Sequence, residues 1–297
     1  LRSQLPNIFM SNIFNLLKYP FDTKFIKVND YDIAYIDEGE ADNVLLFIHG
    51  LGSYLKAWDR NIPELKNHLR CIALDLPGYG KSGKQIHSGE VSFYVEILNE
   101  FIKKLKLKNV SLVGHSMGGQ IALAYAIKYP NQIVKLILAA PAGFETFNKD
   151  EIELIKKIIS PEILFKTSDH QIRLNYQFNF FKMPAETEEM IADRIAIKTD
   201  EDFFNHCTIV SNSLFGLLNA PVFDQLKQIN IPTLIFFGKE DLLIPNKTIH
   251  QTTTEEIASR GSLQIINSKM ILLDECGHFL QYEKPDEFNT QLISFFK

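Results

Sequence analysis

The sequence has few cysteines and no residue spacing that is typical of a metal site. It has three cysteines among 297 residues, Cys71, Cys207 and Cys276, which are far apart and odd in number. This pattern supports neither a disulfide framework nor a Cys-x-x-Cys metal site, so we expect a reducing, cytoplasmic compartment. No group of His, Asp, Glu and Cys has metal-ligand spacing, so no metal site is expected.

The chain also lacks an excess of positive charge and any long apolar run. Its formal net charge is −5 and its pI is about 5.9, which leaves no basic surface for nucleic acid. No apolar stretch approaches the ~18 residues of a membrane span, so stable membrane insertion is not expected. Residues 8–17 are apolar, but asparagines interrupt them, and the pair Met10-Ser11 is typical of a natural start. We therefore interpret residues 1–9 as an upstream extension.

A serine between two glycines is the most informative feature that is present. Gly114-His115-Ser116-Met117-Gly118 follows a strand-like run, Val110–Val113, and precedes a small, apolar helical run. A turn of this kind forces the serine into a strained backbone conformation and leaves its hydroxyl open to a substrate. The N–H of Met117, at the predicted helix start, can face the same space and stabilise an oxyanion. We expect the neighbouring His115 to support this turn rather than to react.

An acid and a base follow downstream, each just after a short apolar run that predicts a strand. Asp241 comes after the run 233–237, and His278 comes after the run 270–273. A serine hydroxyl needs such a base, held in one tautomer by a carboxylate. The chain order Ser116, Asp241, His278 is the order of the α/β-hydrolase arrangement and differs from the chymotrypsin and subtilisin orders.

Four motifs together give the chain a resemblance to the α/β-hydrolase superfamily, in its serine esterase and lipase branch. They are His49-Gly50-Leu51-Gly52, Asp75-Leu76-Pro77-Gly78-Tyr79-Gly80-Lys81-Ser82, the Gly-His-Ser-Met-Gly-Gly turn, and Gly277-His278. The resemblance implies an α/β fold, with a mostly parallel central sheet, helices on both faces and an inserted helical cap. It also implies a catalytic role for Ser116, Asp241 and His278, an oxyanion hole at Leu51 and Met117, and no cofactor.

The acid has two competitors in the sequence, Glu240 and Asp274. Asp241 is preferred because it lies three residues after Gly238, which matches the Gly-x-x-Asp spacing of the family before Ile244-Pro245.

Strand and helix patterns alternate along most of the chain, which predicts a parallel sheet covered by helices. The alternation stops near Gly143 and resumes near Ala220, and the sequence between them indicates several short helices. The predicted division is an N-terminal extension at 1–20, a hydrolase core at 21–142 and 221–297, and a helical cap at 143–220.

The predicted cap is rich in phenylalanine, which suggests a covered, apolar site. Phe144 and Phe180 are candidate substrate contacts, although such rings can equally form the cap's own small core. Trp58, the single tryptophan, is a third candidate, and packing against the core is the alternative for it.

These features predict a serine hydrolase that cleaves small to medium carboxylic esters, small-molecule substrates, through an acyl-enzyme. The serine excludes epoxide hydrolases and haloalkane dehalogenases of this fold, which use an aspartate nucleophile. A carbon–carbon bond hydrolase, a cofactor-free perhydrolase and a ligand sensor on a hydrolase scaffold remain as alternatives. We expect a monomer or a homodimer.

Overall fold

The structure, a computed structural model, describes residues 16–297 and contains one eight-stranded sheet. The strand order is β1-β2-β4-β3-β5-β6-β7-β8, in which β1 and β2 are antiparallel and β3 to β8 run parallel to one another. This confirms the mostly parallel sheet predicted from the sequence. The strands are β1 (Lys24–Val28), β2 (Tyr31–Glu38), β3 (Val44–Ile48), β4 (Arg70–Leu74), β5 (Val110–His115), β6 (Lys135–Ala139), β7 (Thr233–Gly238) and β8 (Ser268–Leu273).

The central strands are apolar at nearly every position because other elements cover both of their faces. Every residue of β3, β5 and β7 is buried, which is the pattern of a parallel sheet between two helical layers. Because parallel strands end at the same edge of a sheet, the segments that follow β3, β5 and β7 meet there. These segments carry His49, Ser116 and Asp241.

The helices outside the region between β6 and β7 pack around this sheet. Val91–Lys104 is amphipathic, since Val91, Tyr94, Val95 and Leu98 are buried. The final helix begins at Pro285, because a proline at the first helical position leaves no hydrogen bond unmade. These helices are α1 (Ile62–Leu65), α2 (Val91–Lys104), α3 (Met117–Lys128), α9 (Thr254–Ser262), α10 (Leu280–Glu283) and α11 (Pro285–Phe295).

Between β6 and β7 the chain forms five α-helices and no strand, as expected from the loss of alternation. Asn148 and Glu151 form a capping box that begins the first of them. We call residues 149–219 the helical segment; its division from the core at residues 143 and 220 stays a prediction. Its helices are α4 (Lys149–Ile158), α5 (Pro161–Phe165), α6 (Asp169–Gln177), α7 (Thr187–Ala196) and α8 (Phe203–Asn219).

The N-terminal predictions lie largely outside the described residues. The proposed start at Met10 and residues 1–15 of the extension are among the undescribed positions. The described end of that extension contacts both parts of the molecule: Leu17 packs with Phe203 of the helical segment, and the Tyr19 hydroxyl donates to Asp75 at 2.6 Å.

The cysteines, the helices and the acidic side chains were compared with the requirements of disulfides, membrane spans and metal sites. All three cysteines are free and buried. None of the helices within residues 16–297 has the length and hydropathy needed to cross a bilayer. The same residues hold no cluster of three or more His, Cys, Asp or Glu side chains that could bind a metal ion.

Candidate active site

The serine turn has the strained geometry that its sequence predicts. Ser116 stands between β5 and α3 with φ of 51° and ψ of −114°. A Cβ on Gly114 would lie 2.4 Å from the carbonyl oxygen of Gly118, and one on Gly118 would lie 2.3 Å from that of Ile48. Both glycines are therefore required for strand and helix to approach this closely.

Asp241 and His278 form a buried hydrogen-bonded pair. His278 Nδ1 lies 2.8 Å from Asp241 Oδ2, while Asp241 Oδ1 accepts the N–H groups of Leu243 at 2.7 Å and Ile244 at 3.0 Å. Because a carboxylate only accepts, His278 must carry its proton on Nδ1, which leaves Nε2 as the acceptor. This is the tautomer that a general base needs.

The two competing carboxylates do not contact His278. Asp274 is largely exposed and pairs with Lys239 at 2.6 Å. Glu240 accepts the N–H of Cys276 at 2.9 Å. The geometry therefore favours Asp241 as the partner of the histidine.

Two further histidines are buried and hold the backbone around the pair. His115 Nε2 donates to the carbonyl oxygen of His278 at 3.1 Å. Burial and the nearby His278 hold the pKa of His115 well below its usual range, so it is neutral. His49 accepts the N–H of Leu76 at 3.1 Å, and burial lowers its pKa to about 4. Both contacts agree with the supporting roles expected from the sequence.

Ser116 and His278 line a common cavity of about 340 Å³, which we call the catalytic cavity. Leu51 lines it as well, and so do Ile155 and Leu214 of the helical segment. Met117 occupies the first position of α3, where backbone N–H groups have no intrahelical acceptor. The candidate nucleophile, the candidate base and the candidate oxyanion loop thus share one largely apolar space.

Two of the three proposed aromatic substrate contacts are wrong. Trp58 is fully buried and packs between the rings of Phe47 and Phe288, with centroid distances of 5.1 and 6.3 Å. Phe144 is also fully buried, 5.9 Å from the ring of Phe237. Both rings fill the core beneath the site, because a large apolar side chain next to a sheet gains more from complete burial than from lining a cavity.

Phe180 lines a second cavity of about 230 Å³, which we call the side cavity. The two cavities share Leu51, Ser53, Asn179 and Phe279 in their walls. They therefore meet at the candidate oxyanion loop, one on each side of it.

Arg194 of α7 also lines the side cavity, and sequence reasoning missed it. Its guanidinium donates to His206 Nε2, while His206 Nδ1 donates to the carbonyl oxygen of Gly78 at 2.8 Å. Burial and the Arg194 charge hold the pKa of His206 well below its usual range, so His206 is a neutral acceptor. Within residues 16–297, Arg194 has no carboxylate partner. No motif marked this arginine, because its role depends on a neighbour 12 residues away.

Comparison with known proteins agrees with the fold. Residues 43–197 match the family model described as the alpha/beta hydrolase fold. The chain belongs to this family. A 2-hydroxy-6-oxononadienedioate/2-hydroxy-6-oxononatrienedioate hydrolase of Pseudomonas putida is 28% identical over 92% of this chain and 96% of its own. A 2-hydroxy-6-oxo-6-phenylhexa-2,4-dienoate hydrolase of Comamonas testosteroni is 27% identical over 93% and 96%.

The solved structures extend the same similarity. A structure described as a probable hydrolytic enzyme of Pseudomonas aeruginosa PAO1 superposes with a TM-score of 0.83, at 20% identity, covering 94% of this chain and 96% of its own. The protein is therefore a hydrolase of this family. The two named relatives correspond to the carbon–carbon alternative more closely than to the ester expectation.

Proposed function

We propose that the protein hydrolyses a carbon–carbon bond next to a ketone, in a substrate with an apolar group on one side of that bond and a carboxylate on the other. The observation that carries this proposal is Arg194, a cation without a carboxylate partner in the described chain, in the side cavity beside the catalytic cavity. A partly buried guanidinium favours a bidentate carboxylate. The Comamonas testosteroni relative, named for a 6-phenyl dienoate, supports this class; the Pseudomonas putida relative shares the 2-hydroxy-6-oxo part but is named for a dioate.

The two cavities divide such a substrate between them. The apolar acyl part occupies the catalytic cavity, against Ile155 and Leu214. The dienoate part extends past Leu51 into the side cavity, where its carboxylate faces Arg194. The ketone carbon then lies at Ser116 in the catalytic cavity, and Leu51, which lines both cavities, lies between the two parts of the substrate.

His278, oriented by Asp241, takes the proton of Ser116 as the hydroxyl attacks the ketone carbon, and the N–H groups of Leu51 and Met117 stabilise the oxyanion. Before this attack, the proton of the 2-hydroxyl moves to the carbon next to the ketone, so that the dienol becomes a keto-ene. The bond between that carbon and the attacked carbon then breaks, and its electron pair is delocalised onto the 2-keto oxygen. His278 returns the proton to this oxygen, which regenerates the 2-hydroxyl group. Water then hydrolyses the acyl-Ser116 ester, so one water is consumed and an acid and a 2-hydroxy-dienoate are released.

The test uses 2-hydroxy-6-oxo-6-phenylhexa-2,4-dienoate as substrate. We expect conversion to benzoate and 2-hydroxypenta-2,4-dienoate, with no conversion by Ser116→Ala. Arg194→Met should lower kcat/KM by about ten- to hundredfold, the usual contribution of a hydrogen bond to a charged group. Arg173→Met is the matched control, because Arg173 lies in the same helical segment but pairs with Glu188 at the surface.

Ester hydrolysis is the second candidate, because the catalytic cavity is lined by aliphatic side chains of α4 and α8 and suits a neutral acyl chain. Parallel assays with p-nitrophenyl esters separate the two. If the enzyme cleaves the esters but not the dienoate, and Arg194→Met has no effect, the ester candidate is favoured. The carbon–carbon proposal is then refuted.

A further inference from the structure

Glu145 is a buried carboxylate in the wall of the catalytic cavity that the proposed mechanism does not use. Its side chain is 6% exposed. Among the described residues that line the cavity it is the only carboxylate, and none of them is a lysine or an arginine. An isolated carboxylate in an apolar wall costs free energy unless hydrogen-bond partners satisfy it.

Only one of the two oxygens of Glu145 is satisfied by the described chain. Oε1 accepts the backbone N–H of Asn246 at 2.8 Å and lies 2.6 Å from His250 Nδ1. Oε2 has no hydrogen-bond partner within residues 16–297. Burial raises the pKa of Glu145, and the contacts with His250 and Asn246 oppose that effect.

Glu145 and His250 both line an outer groove that also contains Arg260, and of these two residues only Glu145 also lines the catalytic cavity. The second ring nitrogen of His250 faces Glu151 at 3.5 Å. Oε1 alone therefore serves as the acceptor for both Asn246 and His250. The amide oxygen of a glutamine would serve equally well.

We propose that Glu145 Oε2 accepts a hydrogen bond from a hydroxyl group on the acyl part of the substrate, so that the enzyme selects hydroxylated acyl groups. The inference rests on the proposed function, since it places the acyl part in the catalytic cavity. A hydroxyl fits better than an ammonium group, because the remaining lining is largely apolar and a second buried charge would lose much more hydration.

The test measures binding rather than turnover, so it does not depend on which bond the enzyme cleaves. The probes are 2-octanone and its derivatives with a hydroxyl or a methoxy group at carbons 5 to 8, titrated calorimetrically into the Ser116→Ala variant. A methoxy oxygen can only accept a hydrogen bond, whereas a hydroxyl can also donate. At the best position, we expect the hydroxyl ketone to bind about ten- to hundredfold tighter than its methoxy partner.

The Glu145→Gln change, added to Ser116→Ala, keeps an acceptor for Asn246 and His250 and places an NH₂ donor where Oε2 was. We expect the preference for hydroxyl over methoxy to fall at least about tenfold. A purely structural role of Glu145 would change both affinities together. Glu151→Gln is the matched control, because Glu151 also faces His250 but lies outside the catalytic cavity; the preference should persist there.

Equal affinity of the hydroxyl and methoxy ketones at every position overturns the inference, and this result needs no Glu145 variant to fold. A preference that survives Glu145→Gln overturns it as well. Failure of the proposed function gives a different result, namely no cleavage of the dienoate, whatever the ketones show.

Discussion

Asp241 uses both carboxylate oxygens, one for His278 and one for the amides of Leu243 and Ile244. Replacement by asparagine would keep these amide contacts but place an NH₂ donor opposite Nδ1, which favours the wrong histidine tautomer. We expect Asp241→Asn to lower kcat by about 10⁴-fold with little change in fold. Steady-state kinetics on whichever substrate the wild type turns over, with circular dichroism for the fold, check this prediction.

Asp274→Asn is the control at this scale, because the side chain of Asp274 is 79% exposed and pairs only with Lys239. It should retain nearly full activity. If Asp274→Asn were the damaging change and Asp241→Asn the mild one, the acid would be misassigned.

The sequence predicts a site residue well when local backbone geometry fixes its position. It predicts a site residue poorly when side chains distant in the sequence fix that position. The pair of glycines around Ser116 and the Gly-x-x-Asp spacing are local patterns, so they could be interpreted without a structure. Arg194 and Glu145 depend on partners brought together by folding, His206 for the first and His250 for the second. No local pattern marks either one. Trp58 failed for a related reason, since sequence position alone cannot distinguish a cavity wall from the core behind it.

The elements were predictable where burial is complete. The apolar runs 110–113 and 233–237 predict β5 and β7, because a strand covered on both faces has no polar alternation to confuse the pattern. The bounds differ by one or two residues at the ends; for example, β5 ends at His115 rather than at Val113. The helical segment was predicted only as helical, because its short helices carry few buried residues and α5 carries none.

The helical segment supplies much of the apolar wall of the catalytic cavity, so it should set the size of the acyl group. We expect Leu214→Trp to reduce the available length by about two methylenes. At ~0.8 kcal/mol per buried CH₂, acyl chains that fill the wild-type cavity should lose about tenfold in kcat/KM relative to acetate. A series from acetyl to palmitoyl, as p-nitrophenyl esters or as alkyl ketone inhibitors, checks this shift.

Leu154→Trp is the matched control for this element. Leu154 lies on α4 of the same segment but is 49% exposed and does not line the cavity. Its length profile should match that of the wild type. A wild-type profile that still rises at the longest chain would show that the cavity does not limit the acyl group, and would contradict this account of the segment.

At the scale of the whole molecule, the sheet edge holds several buried, neutral histidines rather than one. Burial lowers the pKa of His49 and of His87 to about 4, and the pKa values of His115 and His206 are also held well below the usual range. The expectations of a cytoplasmic location and of a monomer or homodimer stay predictions. The pH dependence of folding, in contrast, can be derived from these four groups.

Each of these histidines has a lower pKa in the folded chain than in the unfolded chain, so the unfolded state binds more protons between about pH 6.5 and pH 4. Their contribution to stability is therefore present above pH 6.5 and is lost as the pH falls through this window. A shift from 6.5 to about 4 corresponds to at most about 3 kcal/mol for His49.

We expect Tm to fall steeply between pH 6.5 and pH 4.5, measured by calorimetry. His87→Gln should make this slope shallower, because it removes one of the groups, whereas the exposed His68→Gln should leave it unchanged. Burial raises the pKa of Asp59 to about 7 and so opposes this slope; an identical slope in the wild type and in His87→Gln is therefore the result that would contradict the role of the histidines.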